Sequence, residues 1–128
     1  MTPKPSVVLF VVNVPRMTEF YRTVAAMELV HAQADHAILE IAGFQLVIHA
    51  LRGEPDVKLG PTGQVPVRED SYVKMCLPVQ SISAARALAS KLGGALRPPD
   101  KEWEARGFRA CDGHDPEGNV WQVRQNAV

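Results

Sequence analysis

The sequence is poor in three things, and each scarcity closes a class of explanation. Only two cysteines, Cys76 and Cys111, occur in 128 residues. Both fall in strand-like stretches without metal-binding or redox spacing, so they read as small buried hydrophobes in a reducing, cytoplasmic compartment. Excess charge of either sign is also missing: 14 Lys and Arg balance 14 Asp and Glu. A neutral chain has no general attraction for nucleic acid or an anionic membrane, so neither is expected as a partner. Long apolar runs are the third lack. Val7–Val12 is far too short to cross a bilayer, and no basic, apolar, small-residue series opens the chain, so no targeting segment is expected. Nor is there a Gly-rich phosphate loop, a nucleophile elbow or a paired-Cys motif, which leaves hydrolase and nucleotide-binding readings without support.

What is present is a chain of the right length for one domain, 1–128, with a core that needs no disulfide or structural metal. Val7–Val12 is rich in β-branched residues and ends at Asn13-Val14-Pro15, where Asn caps a helix and Pro suits its first turn. Met17, Phe20, Tyr21, Val24 and Met27 then recur at steps of three and four, one apolar stripe of a helix. The period changes after that. Leu29–Ala32, Ala37–Ile41 and Phe44–His49 read as three strands, the last two joined tightly around Gly43. This makes a β-α-β-β-β module over 5–51.

From 52 to 70 the chain is rich in breakers, among them Gly53, Pro55, Gly60, Pro61, Gly63 and Pro66, and is expected to be a linker. A second module is expected over 71–125. Its parts are a strand at Tyr72–Leu77, a helix capped by Ser81 or Ser83 and stopped by Gly93-Gly94, and strands at Ala95-Leu96, Phe108–Cys111 and Val120–Val123. A longer irregular stretch is expected around Pro98, Pro99 and Trp103. The two modules align at a constant offset that takes Ser6 to Lys74 and Asn13 to Ser81, matching apolar positions, cap and helix start. A ferredoxin-like sandwich would have one strand fewer in each half.

Gly107-Phe108-Arg109 followed by Asp115-Pro116-Glu117-Gly118-Asn119-Val120-Trp121-Gln122-Val123 resembles the last hairpin of the glyoxalase, bleomycin-resistance and extradiol-dioxygenase proteins, the vicinal oxygen chelate superfamily. Pro after Asp fixes φ, Gly permits a positive φ and Asn closes the turn into the final strand. With the duplicated order and Phe20-Tyr21 on the first helix, the resemblance covers nearly the whole chain. It implies an α+β fold of two βαβββ modules forming an open, barrel-like cleft, and a homodimer.

The resemblance also implies where a divalent metal would be held: His, Glu or Gln on the first and last strands of each module. Carried over, those positions are Ser6 and Lys74 on the first strands, Val47 or His49 on the last strand of module one, depending on register, and Gln122 on the last strand of module two. Ser6 and Lys74 are not metal donors, and an ammonium in the site opposes a cation, so no metal or other cofactor is expected. Strand alternation places Gln45, Val47 and His49 on one face, and Val120, Gln122 and Arg124 on one face. The expected ligand-binding set is Gln122, Lys74, His49, Arg109, Trp103 and Phe10, in a cleft otherwise lined by residues such as Val8, Val47 and Val120. Trp103 reads equally as a lid or as an anchor for its loop. Cys76 shares the face of Lys74, whose ammonium would favour its thiolate. His31, His36 and His114 read as surface or turn residues, and Asp112, Asp115 and Glu117 as ordinary turn carboxylates.

Three functions compete on this sequence. The first is a metal-poor binder of a small organic, possibly anionic, molecule, as in drug-sequestering relatives, with cationic bleomycin disfavoured by Lys74. The second is an enzyme, either a metal-dependent lyase, isomerase or dioxygenase, or a metal-free catalyst using His49. The third is a non-catalytic dimerising module. One fold hosts many reactions, so the site must decide.

Overall fold

The computed structural model describes residues 2–55, 60–61 and 64–127. Positions 56–59 and 62–63 of the expected linker, Gly63 among them, lie outside the described residues. Both helices begin where a short polar side chain follows a strand. Asn13 Oδ1 accepts from the Arg16 amide at 3.0 Å and Ser81 Oγ from the Ala84 amide at 3.1 Å. Each cap satisfies one of the amides that a helix start leaves unpaired. Helix α1 (Val14–Val24) carries Pro15 in its first turn, and α2 (Ile82–Lys91) ends at Leu92 ahead of Gly93 at φ 90°.

The strands are β1 (Ser6–Val11), β2 (Glu28–Ala32), β3 (His36–Ile41), β4 (Phe44–Ala50), β5 (Met75–Pro78), β6 (Ala95–Leu96), β7 (Trp103–Ala105), β8 (Phe108–His114) and β9 (Val120–Asn126). They form two compact units, Met1–Val57 and Lys58–Val128. In the first, the sheet order is β1-β4-β3-β2, with β1 parallel to β4 and the other pairs antiparallel. In the second, β5 lies parallel to β9, β9 antiparallel to β8, and both β6 and β7 pair with β8. The offset that takes Asn13 to Ser81 also takes Val7–Phe10 onto Met75–Pro78, so caps and first strands repeat together. The fold is α+β, two βαβββ modules.

Two local expectations are corrected. The strand expected from Tyr72 starts only at Met75, since Tyr72 and Val73 are exposed and pair with no strand. Trp103, expected in an irregular stretch, opens β7. Leu96 faces Gly113 and Trp103 faces Ala110, so residues 97–102 span a gap of only Cys111 and Asp112 on the partner strand. One strand has been broken into β6 and β7 by an excursion with a 3₁₀ turn at Pro99–Lys101. Gly113 allows β6 its close approach, because a Cβ there would sit 2.2 Å from the Ala95 carbonyl oxygen.

The helical stripe read from sequence is the core of the first unit. Met17, Phe20, Tyr21, Val24 and Met27 are buried, as are Leu39, Leu46 and Ile48 on the strands beneath, with Phe20 and Tyr21 edge to face at 5.1 Å. In the second unit Ile82, Ala85 and Ala89 of α2 are buried, with Trp121 and Val123 of β9. Gln125 Oε1 accepts from the Ile82 amide at 2.7 Å and fixes the helix start over the sheet.

The excursion is pinned by Glu102, whose side chain is 9% exposed. Arg86 Nη2 and Arg109 Nε (2.6 Å) both donate to it. Burial pushes its carboxyl up, but the two guanidiniums more than offset this and hold it below the ordinary value of 4.5. A depressed carboxylate contributes stability that is present above its unfolded value and lost as pH falls through the folded one. Glu102→Gln is therefore expected to cost about 1.5–3 kcal/mol at pH 7. In urea titrations across pH the two proteins should converge as the pH drops below 4.5; an unchanged gap at low pH would remove the ion triad as the cause.

The last turn is built around Asp115, which is fully buried. Its Oδ1 accepts from the amides of Glu117 (2.9 Å) and Asn119 (3.0 Å), and Asn119 Nδ2 reaches both carboxylate oxygens. Gly118 sits at φ +83°, where a Cβ would lie 2.2 Å from the Pro66 carbonyl oxygen, and its own carbonyl accepts from the Arg68 amide. The second half of the expected linker thus packs on this turn. Gly118→Ala is expected to destabilise by at least the ~1–2 kcal/mol of left-handed backbone strain, read as a lower urea midpoint with unchanged m value.

Candidate functional site

Alternation along β9 turns Val120, Gln122 and Arg124 to the face away from α2. Cross-strand register brings Asp112 of β8 and Cys76 of β5 opposite Gln122. A polar chain follows from that row. Arg124 Nε donates to Gln122 Oε1 at 2.7 Å, Gln122 Nε2 donates to Asp112 Oδ1 at 3.1 Å, and Lys74 Nζ lies 3.2 Å from Asp112 Oδ2. Arg124 also stacks 4.5 Å above the Phe108 ring and donates to Cys76 Sγ at 3.4 Å. The Lys74 and Asp112 side chains are 43% and 29% exposed, so the pair is open to solvent on one side.

Beside it lies a cleft of about 370 Å³, within the size range of small-molecule sites. Asp112, His114 and Val120 contribute from the strands, Lys74 from the residue just before β5 and Arg97 from the excursion, while Glu69 comes from the segment that packs on the last turn. The guanidinium of Arg97 and the carboxylate of Glu69 make no ion pair among the described residues. The His114 ring is anchored, its Nδ1 3.1 Å from the Asp115 carbonyl oxygen.

The expected site residues separate into groups. Lys74 and Gln122 come together, bridged by Asp112. Trp103 lies opposite Ala110, which lies opposite Arg124, so it shares their face two residues along the strands. Arg109 does not join them: alternation puts it on the other face of β8, where it binds Glu102 and Glu104. Phe10 and His49 belong to the first unit. There they are cross-strand partners, edge to face at 5.8 Å, with His49 Nδ1 donating to the Ala50 carbonyl oxygen at 2.8 Å. Ser6 lies opposite Gln45, Val8 opposite Val47 and Phe10 opposite His49, so neither Val47 nor His49 faces Ser6 directly.

Sequence reasoning read His31 and His36 as surface or turn residues and missed the row they form with His49. His36 stacks on His49 at 5.8 Å and 11°, and His31 lies 5.2 Å from His36, a row of imidazoles across β2, β3 and β4. His36 Nδ1 contacts Asp35 Oδ1 at 2.8 Å, and this contact chiefly holds the Asp35 carboxyl below its ordinary range. The signal was available: a two-residue turn at Ala42-Gly43, both at positive φ, forces His36 opposite His49. In the same way, pairing outward from His114 and Val120 forces Asp112 opposite Gln122 and puts His114 on the face of Asp112.

The residues at the implied metal positions do not fit a divalent ion. Asp112, the carboxylate nearest Gln122, is already shared with the Lys74 ammonium, and a second positive charge there would be repelled by the first. No group of three His, Cys, Asp or Glu side chains among the described residues is placed to hold a metal. Among those residues no helix is long and apolar enough to cross a membrane.

Comparison with known proteins bears on the fold and the family. Curated proteins provide no match in sequence. Among solved structures, an integron cassette protein from V. cholerae is 21% identical, covers 98% of this chain and 95% of its own, and has a TM-score of 0.63. A glyoxalase/bleomycin resistance protein/dioxygenase family enzyme from Burkholderia phytofirmans PsJN is 14% identical with a TM-score of 0.67, covering 94% and 96%. The fosfomycin resistance protein FosX from Mesorhizobium loti is 17% identical with a TM-score of 0.65, covering 99% and 93%. At these identities the likeness is one of fold. The family model for the glyoxalase-like domain matches residues 6–124, nearly the entire length and both modules, and the chain therefore belongs to the glyoxalase-like family of the vicinal oxygen chelate superfamily.

Proposed function

We propose that the cleft of the second unit binds a small, partly apolar organic molecule bearing a carboxylate, phenolate or carbonyl oxygen, without a resident metal. The observation that carries this reading is the Lys74–Asp112–Gln122 array beside a 370 Å³ cleft. Lys74 has three N–H donors and Asp112 engages one, so two remain for a ligand oxygen. Asp112 also supplies the anionic partner that a half-buried ammonium needs, which keeps the donor in place before a ligand arrives. A homodimer and a cytoplasmic location belong to the same proposal. The first is supported by the family resemblance and the second by the two free cysteines.

Charge then sets affinity. In thermal-shift and calorimetric titrations, small aromatic acids should bind more tightly than their neutral amides. Lys74→Met should weaken the acids by about 1.5 kcal/mol, the low end for a hydrogen bond to a charged group because Asp112 shares the ammonium. Equal responses to acids and amides in both proteins would contradict the reading.

Elemental analysis after incubation with zinc, nickel, manganese and iron is expected to find no stoichiometric ion. One tightly held ion per chain would instead support the metal-dependent lyase, isomerase or dioxygenase reading.

A further inference from the structure

We infer that the cleft selects ligands carrying a hydrogen-bond donor, a hydroxyl or N–H, beside their anionic oxygen, and that His114 is the residue that reads it. The inference deepens the cleft-binding reading above and rests on it. His114 was expected to be a turn residue, yet it is half-buried, lines the cleft and stands two residues from Asp112 on the same face of β8.

Its tautomer follows from one contact. A main-chain carbonyl oxygen only accepts, so Nδ1, 3.1 Å from the Asp115 oxygen, carries the hydrogen of the neutral ring. Nε2 is then the bare nitrogen, an acceptor, and it makes no hydrogen bond among the described residues. The anchor is rigid. The carbonyl belongs to Asp115, whose fully buried carboxylate is gripped by Glu117 and Asn119, so the ring is oriented by the last turn and not by a flexible neighbour.

Two recognition groups of opposite hydrogen-bonding sense therefore face one cavity. Lys74 only donates, and Nε2 of His114, with the ring hydrogen on Nδ1, only accepts. Residues i and i+2 of a strand are roughly 6.6 Å apart, so the carboxylate that holds Lys74 and the His114 ring are rooted about that distance from each other. A hydroxy acid of benzoate size can meet both. Its methyl ether keeps the anionic oxygen but has no hydrogen for Nε2, and it leaves that nitrogen desolvated without a partner. Of the other charged groups in the cleft, Arg97 offers only donors, and Glu69 comes from a different segment from His114.

The experiment is a calorimetric comparison of 2-, 3- and 4-hydroxybenzoate with the corresponding methoxybenzoates, on the intact protein and on His114→Phe. At least one hydroxybenzoate is expected to bind roughly three- to tenfold more tightly than its own ether, the range of one neutral hydrogen bond. The preference should vanish in His114→Phe, while the methoxybenzoates keep their affinity. Equal binding of every acid and its ether by the intact protein overturns the inference and leaves the cleft reading intact, and a preference that survives in His114→Phe also overturns it. Should no benzoate bind while the protein remains folded, the cleft reading itself fails. The ether comparison needs no variant, so a His114→Phe protein that does not fold leaves the test in force.

Discussion

In the proposed reading, the Lys74–Asp112 pair, 3.2 Å apart, governs what the cleft of the second unit binds. In this superfamily the first and last strands of a module are where a metal would be gripped. Here the residue just before β5 and the last strand, β9, present the Lys74 ammonium and the neutral Gln122 amide, and the Asp112 carboxylate between them is bonded to both. The pair lines the cleft and is open to solvent on one side. In the proposed reading its ammonium supplies a positive end without a metal ion, while Asp112 accepts from both Lys74 and Gln122. The polar chain from Arg124 through Gln122 to Asp112 ends on the pair.

The same unit shows how a local turn controls a distant donor. Asp115 is buried because its carboxylate caps the turn, and Gly118 is required because the chain passes under Pro66. That turn sets the pairing of β8 with β9, which sets Asp112 opposite Gln122, and its backbone carbonyl sets the tautomer of His114. The turn residues that first suggested the family are thus also the scaffold of the cleft.

Much of the fold was legible because periodicity is a local property. The α1 stripe, the Asn13 and Ser81 caps and the Gly43 hairpin could each be read from a handful of neighbours. The break of one strand into β6 and β7 could not. It depends on Glu102 being clamped by Arg86 and Arg109, contacts made across the fold that no spacing rule announces. For the candidate site, strand alternation pointed to Gln122 and the module repeat to Lys74, and the structure places both against Asp112. Arg109 was assigned to the cleft although alternation from Asp112 puts it on the other face. Asp112 and His114 were passed over because carboxylates and histidines near turns are usually solvent-exposed. Counting register outward from the turn would have corrected all three.

The most direct test of the account is a double-mutant cycle on Lys74→Met and Asp112→Asn, read as the dissociation constant of a small aromatic acid. If Asp112 holds the ammonium in place and competes with the ligand for it, Asp112→Asn tightens acid binding more in the presence of Lys74 than in the Lys74→Met background, where only like-charge repulsion is relieved. If Asp112→Asn changes acid affinity equally in both backgrounds, the ammonium–carboxylate pair is not what governs the cleft.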